Sequence, residues 1–201
     1  MKLYTHPGSC SSAAHIALLE AGVNFEMVKV NLMGDRSLPD GRKLIDINPK
    51  GYVPVLELDN GEILTEIVAM LPYIADLKPA AGLAPAAGTL ARTRLYEWLA
   101  YINSELHKGC SLLFAPDIPA EVKTTAKSKL ATRLAYVDKF LADHNFLGGD
   151  RFNVADAYLY IVLSWAPHLS LDLSPYTNIA RYQTLVAGRG SVKTAQAAAR
   201  G

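Results

Sequence analysis

"THPGSCSSAAHIALLEAG", residues 5–22, runs from the end of an apolar strand through Pro7 and Gly8 to a cysteine, then into a helix of small and apolar residues that stops at Gly22. Cys10, one of two cysteines in the chain, stands where the strand ends and the helix begins. A helix start presents unpaired amides and the positive end of the helix dipole. A cysteine there has its pKa drawn from about 8.5 into a range of roughly 3.5 to 7.5. Position makes Cys10 a candidate reactive thiol, while its small size equally suits a buried joint between strand and helix. "CSSA" has no second cysteine at the resolving position of a Cys-x-x-Cys pair. That argues against a self-contained dithiol cycle and for a partner thiol from solution.

Working outward, residues 1–77 alternate strand and helix: strand at Lys2, helix Ser11 to Ala21, strand Phe25 to Val30, a loop "LMGDRSLPDG", and a short helix Arg42 to Ile47. A strand from Pro54, an Asp59–Gly61 turn, a strand "EILT" and a helix Glu66 to Leu77 complete a βαβαββα unit. The βαβ half predicts parallel strands, the Asp-Asn-Gly turn an antiparallel pair. "KPAAGLAPAAG", residues 78–88, is without periodicity and reads as a linker. Everything beyond it is helical: Thr89 to Phe114, Ala120 to Asp143, Val154 to His168, Tyr176 to Ala187 and Val192 to Ala199. The expected organisation is therefore an α/β domain over 1–77, a linker over 78–88 and an all-α domain over 89–201. Asn153 with Asp156 three residues on forms a variant capping box, a folding signal.

A net charge of +1 with both signs scattered gives no footprint for nucleic acid or an anionic membrane. "MKLYTHPG" lacks the apolar core of a signal peptide, and "AYLYIVLSWA" is too short to span a bilayer. The expectation is a cytoplasmic protein with no nucleic-acid or membrane partner. Cys10 and Cys110 read as free thiols, Cys110 as helix packing. The five histidines show no metal spacing, so no metal is expected. His15 fills a slot on the first helix.

Two further stretches carry candidate chemistry. In "NPKGYVPVLEL", Val53 is held extended by Pro54, which has no N–H. A cis Val53–Pro54 bond would leave the Val53 backbone facing out to pair with an extended peptide; the alternative is an ordinary strand-opening proline. In "LTEIVAM", Thr65 and Glu66 meet a helix start. Its amides and the Glu66 carboxylate could take the two ends of a zwitterion, or Glu66 is a favourable first-turn acid only.

"MKLY…PGSCS…H", "NPKGYVP", "LTE", "ELHKG" and "RFNVADAYLY", in this order over the whole chain, resemble the glutathione transferase superfamily, and more narrowly its bacterial beta class. The resemblance implies a thioredoxin-like N-terminal domain joined to an all-helical domain that carries the electrophile pocket. It implies glutathione as co-substrate, a small hydrophobic electrophile and a homodimer engaged in detoxification. Cys10 would face the glutathione sulfur and form a mixed disulfide with it, Val53 before a cis Pro54 would pair with the cysteinyl backbone, and Glu66 with the Ile67 amide would hold the γ-glutamyl end. Ser104, His107 and Lys108, at i, i+3 and i+4, would present one helical face to the same cleft. There His107 joins Cys10 as a catalytic residue, and a cation would favour a thiolate.

Three positions depart from the pattern. Ile67 replaces the usual Ser or Gly, Ala100 replaces an Asn, and Asp35 stands near an expected Lys, leaving Arg36 as the substitute for the glycine carboxylate. Tyr4, Ser9, Ser11 and Ser12 are the reserve hydroxyls, with Ser11 or Ser12 assisting at the helix amides. Two rivals to a transferase are a glutaredoxin-like disulfide reductase and a non-catalytic protein that binds glutathione or other ligands.

Overall fold

The computed structural model describes residues 1–200, the last by its backbone alone. The chain divides into two compact units, Met1–Ala84 with the C-terminal segment from Arg189, and Pro85–Gly188.

The first unit holds a four-stranded sheet in the order β2-β1-β3-β4. β1 (Lys2–Thr5) runs parallel to β2 (Glu26–Lys29), with Leu3 opposite Met27, and antiparallel to β3 (Val55–Glu57), with Leu3 opposite Leu56. β4 (Ile63–Thr65) pairs antiparallel with β3, as the turn at 59–61 predicts. α1 (Ser11–Ala21) follows β1 and is closed by Gly22 in the left-handed region, φ 63°, its N–H reaching the carbonyls of Leu18 and Leu19. This is the glycine-dependent helix stop expected from the sequence. α2 is a single turn, Leu44–Ile47, and α3 spans Ile67–Leu77.

α1 is buried over most of its length because it packs against β1, α3 and the last helix, α9 (Gly190–Arg200). A helix apolar on all sides is stable only when covered all round. The covering α9 is clamped by Glu20, whose carboxylate accepts from Arg189 Nε at 2.7 Å and Nη2 at 2.6 Å, and from the Ser191 hydroxyl. The sequence reading gave every residue after 88 to the helical half; α9 instead belongs with the α/β unit. Periodicity marks it as a helix but not whose core it completes. Residue 201 lies outside the described residues.

The second unit contains α4 (Leu90–Tyr101), α5 (Lys108–Leu113), α6 (Ala120–Leu141), α7 (Val154–Ser164) and α8 (Thr177–Ala187). Between α4 and α5, residues Ile102–His107 form a π-helical stretch in which the Lys108 N–H bonds the Asn103 carbonyl five residues back. The single helix expected over 89–114 is thus interrupted. α7 is the core: Val154 through Leu163 are all buried. Its start is fixed by Asn153, whose Oδ1 accepts from the Ala155 N–H at 2.8 Å, and by the fully buried Asp156, which accepts from the N–H groups of Asn153 (2.9 Å) and Leu147 (2.8 Å).

Candidate functional site

The chain reverses from β1 into α1 through a loop braced by hydroxyls. Ser11 Oγ, fully buried, accepts from the His6 N–H at 3.1 Å and lies 2.6 Å from Thr5 Oγ1 and 2.7 Å from Ser9 Oγ. Ser9 Oγ donates to the His6 carbonyl at 2.7 Å, and Ser12 Oγ accepts from the Gly8 N–H at 3.0 Å. Gly8 carries the positive φ, 84°, that the reversal requires. These serines hold the loop. Tyr4 is engaged too: its hydroxyl donates to Glu57 at 2.5 Å, and burial with the Glu57 charge pushes it up to about 12.

Cys10 stands at the N-cap of α1, partly exposed, and makes no hydrogen bond to the helix amides. Its Sγ donates instead to the Val53 carbonyl at 3.7 Å. A carbonyl partner suits the protonated thiol, whereas the helix dipole suits the anion, so forming a thiolate means turning the sulfur away from Val53. The Val53–Pro54 bond is cis. His15 lies buried, edge-on to Phe25 at 5.6 Å, with burial lowering its pKa. It is a packing residue, as read.

Glu66 adopts a left-handed backbone, φ 67°, at the start of α3. A non-glycine residue held there costs on the order of 1–3 kcal/mol and persists only when its surroundings fix it. Its carboxylate Oε1 accepts from Lys50 Nζ and from the Tyr52 hydroxyl, each at 2.6 Å, and Lys50 also reaches Thr65 Oγ1 at 3.0 Å. Lys50 and Tyr52 are elements of this corner that sequence reasoning missed, although both lie in the quoted "NPKGYVP". The Ile67 side chain is buried, so at this position only the backbone amide is left to face a ligand. Arg36, in a left-handed conformation with φ 58°, directs Nη1 to the Gly51 carbonyl at 2.9 Å. Asp35 is held by Lys43 and by the Ser37 N–H, which together keep its carboxyl well below the ordinary range. It organises the loop.

In the helical unit the π-helical stretch divides three residues that α-helical spacing had grouped. Ser104 and Lys108 line a groove of about 520 Å³ against α6, with Leu112 and Leu130 among its apolar walls. His107 is directed elsewhere, toward α7: Nδ1 lies 2.6 Å from the Tyr158 hydroxyl, and the ring meets Trp165 edge-on at 4.9 Å. The extra residue in a π-turn rotates the following side chains off the α-helical stripe. Burial, with the nearby Lys108 charge, brings His107 down to about 4, so at neutral pH it is an imidazole and not a cation. Glu105 pairs with Arg133, Nε to Oε2 at 2.9 Å. Cys110 is buried and its thiol pushed up to about 11. Among the described residues no three His, Cys, Asp or Glu side chains cluster as a metal site would need. Among the described residues no helix is long and apolar enough to cross a membrane.

Both halves match family models: residues 8–77 the glutathione S-transferase N-terminal domain, and residues 89–189 the glutathione S-transferase C-terminal domain. The chain belongs to the glutathione S-transferase family. Within it, the sequence is 44% identical to glutathione S-transferase GstA of Escherichia coli O157:H7 over 98% of each chain. Among solved structures it is similar to the bacterial transferase BphK in a ternary complex (TM-score 0.97, 44% identity, all of both chains). A sphingomonad glutathione S-transferase complexed with glutathione matches at TM-score 0.95 and 44% identity, over 100% of this chain and 99% of that one. A beta-class transferase of Sphingomonas chungbukensis matches at TM-score 0.94 and 45% identity, over 99% of this chain and 98% of that one.

Proposed function

We propose that this chain is a beta-class-like glutathione transferase that binds glutathione beside Cys10, conjugates it to small apolar electrophiles, and exchanges it through a Cys10 mixed disulfide. The observation that carries this reading is the juxtaposition of the Cys10 sulfur, at the start of α1, with the Val53 carbonyl 3.7 Å away. A γ-glutamyl-cysteinyl-glycine chain paired along Val53 would bring its own sulfur to the Cys10 thiol. The sphingomonad transferase complexed with glutathione supports the same ligand here.

In this reading Glu66 receives the γ-glutamyl amine, with the Ile67 amide at the accompanying carboxylate, and Arg36 receives the glycine carboxylate. A guanidinium holding one carbonyl has further N–H donors to offer. From the helical unit this reading takes His107, as a neutral hydrogen-bonding group; Ser104 and Lys108, which line the groove against α6, fall outside it. Phe114, half exposed and edge-on to Trp165 at 5.6 Å, offers an apolar surface beside His107 for the electrophile. The working form is a cytoplasmic homodimer acting in detoxification.

In mixed-disulfide exchange the Cys10 thiolate attacks the sulfur of a glutathione disulfide; the new S–S bond forms as the old one breaks, and the departing thiolate takes a proton from solvent. Conjugation uses the glutathione thiolate as nucleophile, with the halide of an aryl chloride leaving. The test is to assay conjugation of 1-chloro-2,4-dinitrobenzene and reduction of a glutathione mixed disulfide with the parent and Cys10→Ala. Intact mass is read before and after reduction. Loss of one glutathione mapped to Cys10, together with loss of disulfide reduction in Cys10→Ala, is the expected result. Neither activity in the parent would leave a binding protein, and disulfide reduction alone a glutaredoxin-like enzyme.

A further inference from the structure

Tyr158 is fully buried on α7, and its hydroxyl sits between two polar groups of the π-helical stretch. It donates to Asn103 Oδ1 at 3.1 Å and lies 2.6 Å from His107 Nδ1. A phenolic hydroxyl has one proton. With that proton on the Asn103 oxygen, the Tyr158 oxygen turns a lone pair to the imidazole, and Nδ1 must supply the hydrogen. We infer that Asn103 and Tyr158 are positioning residues that hold His107 as its Nδ1–H tautomer, leaving Nε2 without a proton.

The π-turn is what makes this arrangement available. The Asn103 carbonyl accepts the Lys108 N–H across five residues, so Asn103 and His107 fall within one widened turn and both reach the same hydroxyl on α7. Trp165 meets the His107 ring edge-on, with centroids 4.9 Å apart, and restrains its plane. A neutral imidazole whose Nδ1–H is committed can meet a ligand through Nε2 only as an acceptor. This is the orientation a base receives from a third group in nucleophile–base–orienter sites, here with a tyrosine as the orienter. Resting on the proposed transferase reading, His107 would accept a hydrogen bond from the thiol of bound glutathione and orient that sulfur before it ionises. It would not donate to the finished thiolate.

Long-range proton–nitrogen correlation spectra of the parent enzyme at pH 7, with His107 assigned by its loss in His107→Asn, read the tautomer directly. The expected spectrum has a protonated Nδ1 and an unprotonated Nε2; a protonated Nε2 overturns the inference. Tyr158→Phe is expected to mix the two tautomers and lower kcat for conjugation by about tenfold, the effect of one hydrogen bond, with KM for glutathione changed less than twofold. An unmixed tautomer in that variant also overturns it. If the parent has the Nδ1–H tautomer while His107→Asn retains full conjugation activity, the positioning stands and the placing of His107 in the transferase site falls.

Discussion

Replacing Ser11 with Ala tests how the thiol loop is held. Ser11 Oγ is fully buried and meets the His6 N–H, Thr5 Oγ1 and Ser9 Oγ within 3.1 Å. Alanine fits the same space but leaves the His6 amide without its acceptor, which costs about 1–3 kcal/mol for a donor withdrawn from water. The buried Thr5 hydroxyl loses a partner as well, at about 1 kcal/mol. The sum is about 2–4 kcal/mol. With a melting-point shift of roughly 2–4 °C per kcal/mol at this chain length, the expected fall in Tm is on the order of 4–16 °C. Two measurements follow: urea unfolding with the tryptophans as probe, and hydrogen exchange at the His6 amide, which should accelerate by about tenfold or more as the loop opens locally. Cys10 alkylation should change in step, because Cys10 is the residue this bracing holds in place. A Ser11→Ala protein within 0.5 kcal/mol of the parent, with His6 exchange unchanged, would refute the role given to the hydroxyl cluster.

Three other outcomes are expected. The His107 pKa is about 4 in the folded protein against 6.5 for the free side chain, so the unfolded chain binds the proton more readily. Stability from this group is therefore complete above about pH 6.5 and lost as pH falls toward 4, by up to about 3 kcal/mol; His107→Gln should flatten that part of the urea-unfolding profile, and an unaltered profile would contradict it. Asp156→Ala strips acceptors from the Asn153 and Leu147 amides in a fully buried position and should cost about 3–5 kcal/mol in unfolding experiments, with a loss under 1 kcal/mol counting against the capping description. Glu66→Gln removes a charge-assisted acceptor and should raise KM for glutathione by about tenfold with kcat nearly unchanged, while an unchanged KM would remove Glu66 from the binding site.

The architecture was legible because its signals are local. Gly22 stops α1, the Asp59–Gly61 turn sets an antiparallel pair, and Asn153 with Asp156 starts α7; each depends on residues within a few positions of one another. Cys10 could be picked out for the same reason, since a strand end, Pro7, Gly8 and a helix start adjoin it in the chain. What spacing could not reveal was direction. Ser104, His107 and Lys108 form one stripe on an α-helix, but the stretch is π-helical, and His107 turns to Tyr158 while the other two face α6. Asn103 and Tyr158 carry no motif, and their significance lies in a hydroxyl that joins residues 55 positions apart in the chain.

The amino-acid sequence alone determined the order of elements, the α/β and helical halves and the cysteine at the helix start, because caps, turns and periodicities act over a few residues; the family was legible only through the resemblance of five motifs in order. Tertiary structure decided that α9 completes the core around α1, that Lys50 and Tyr52 converge on Glu66, and that His107 is a neutral imidazole. Burial and long-range hydrogen bonds set charge state and side-chain direction. Those depend on what the rest of the chain brings against a residue, and no local pattern records it.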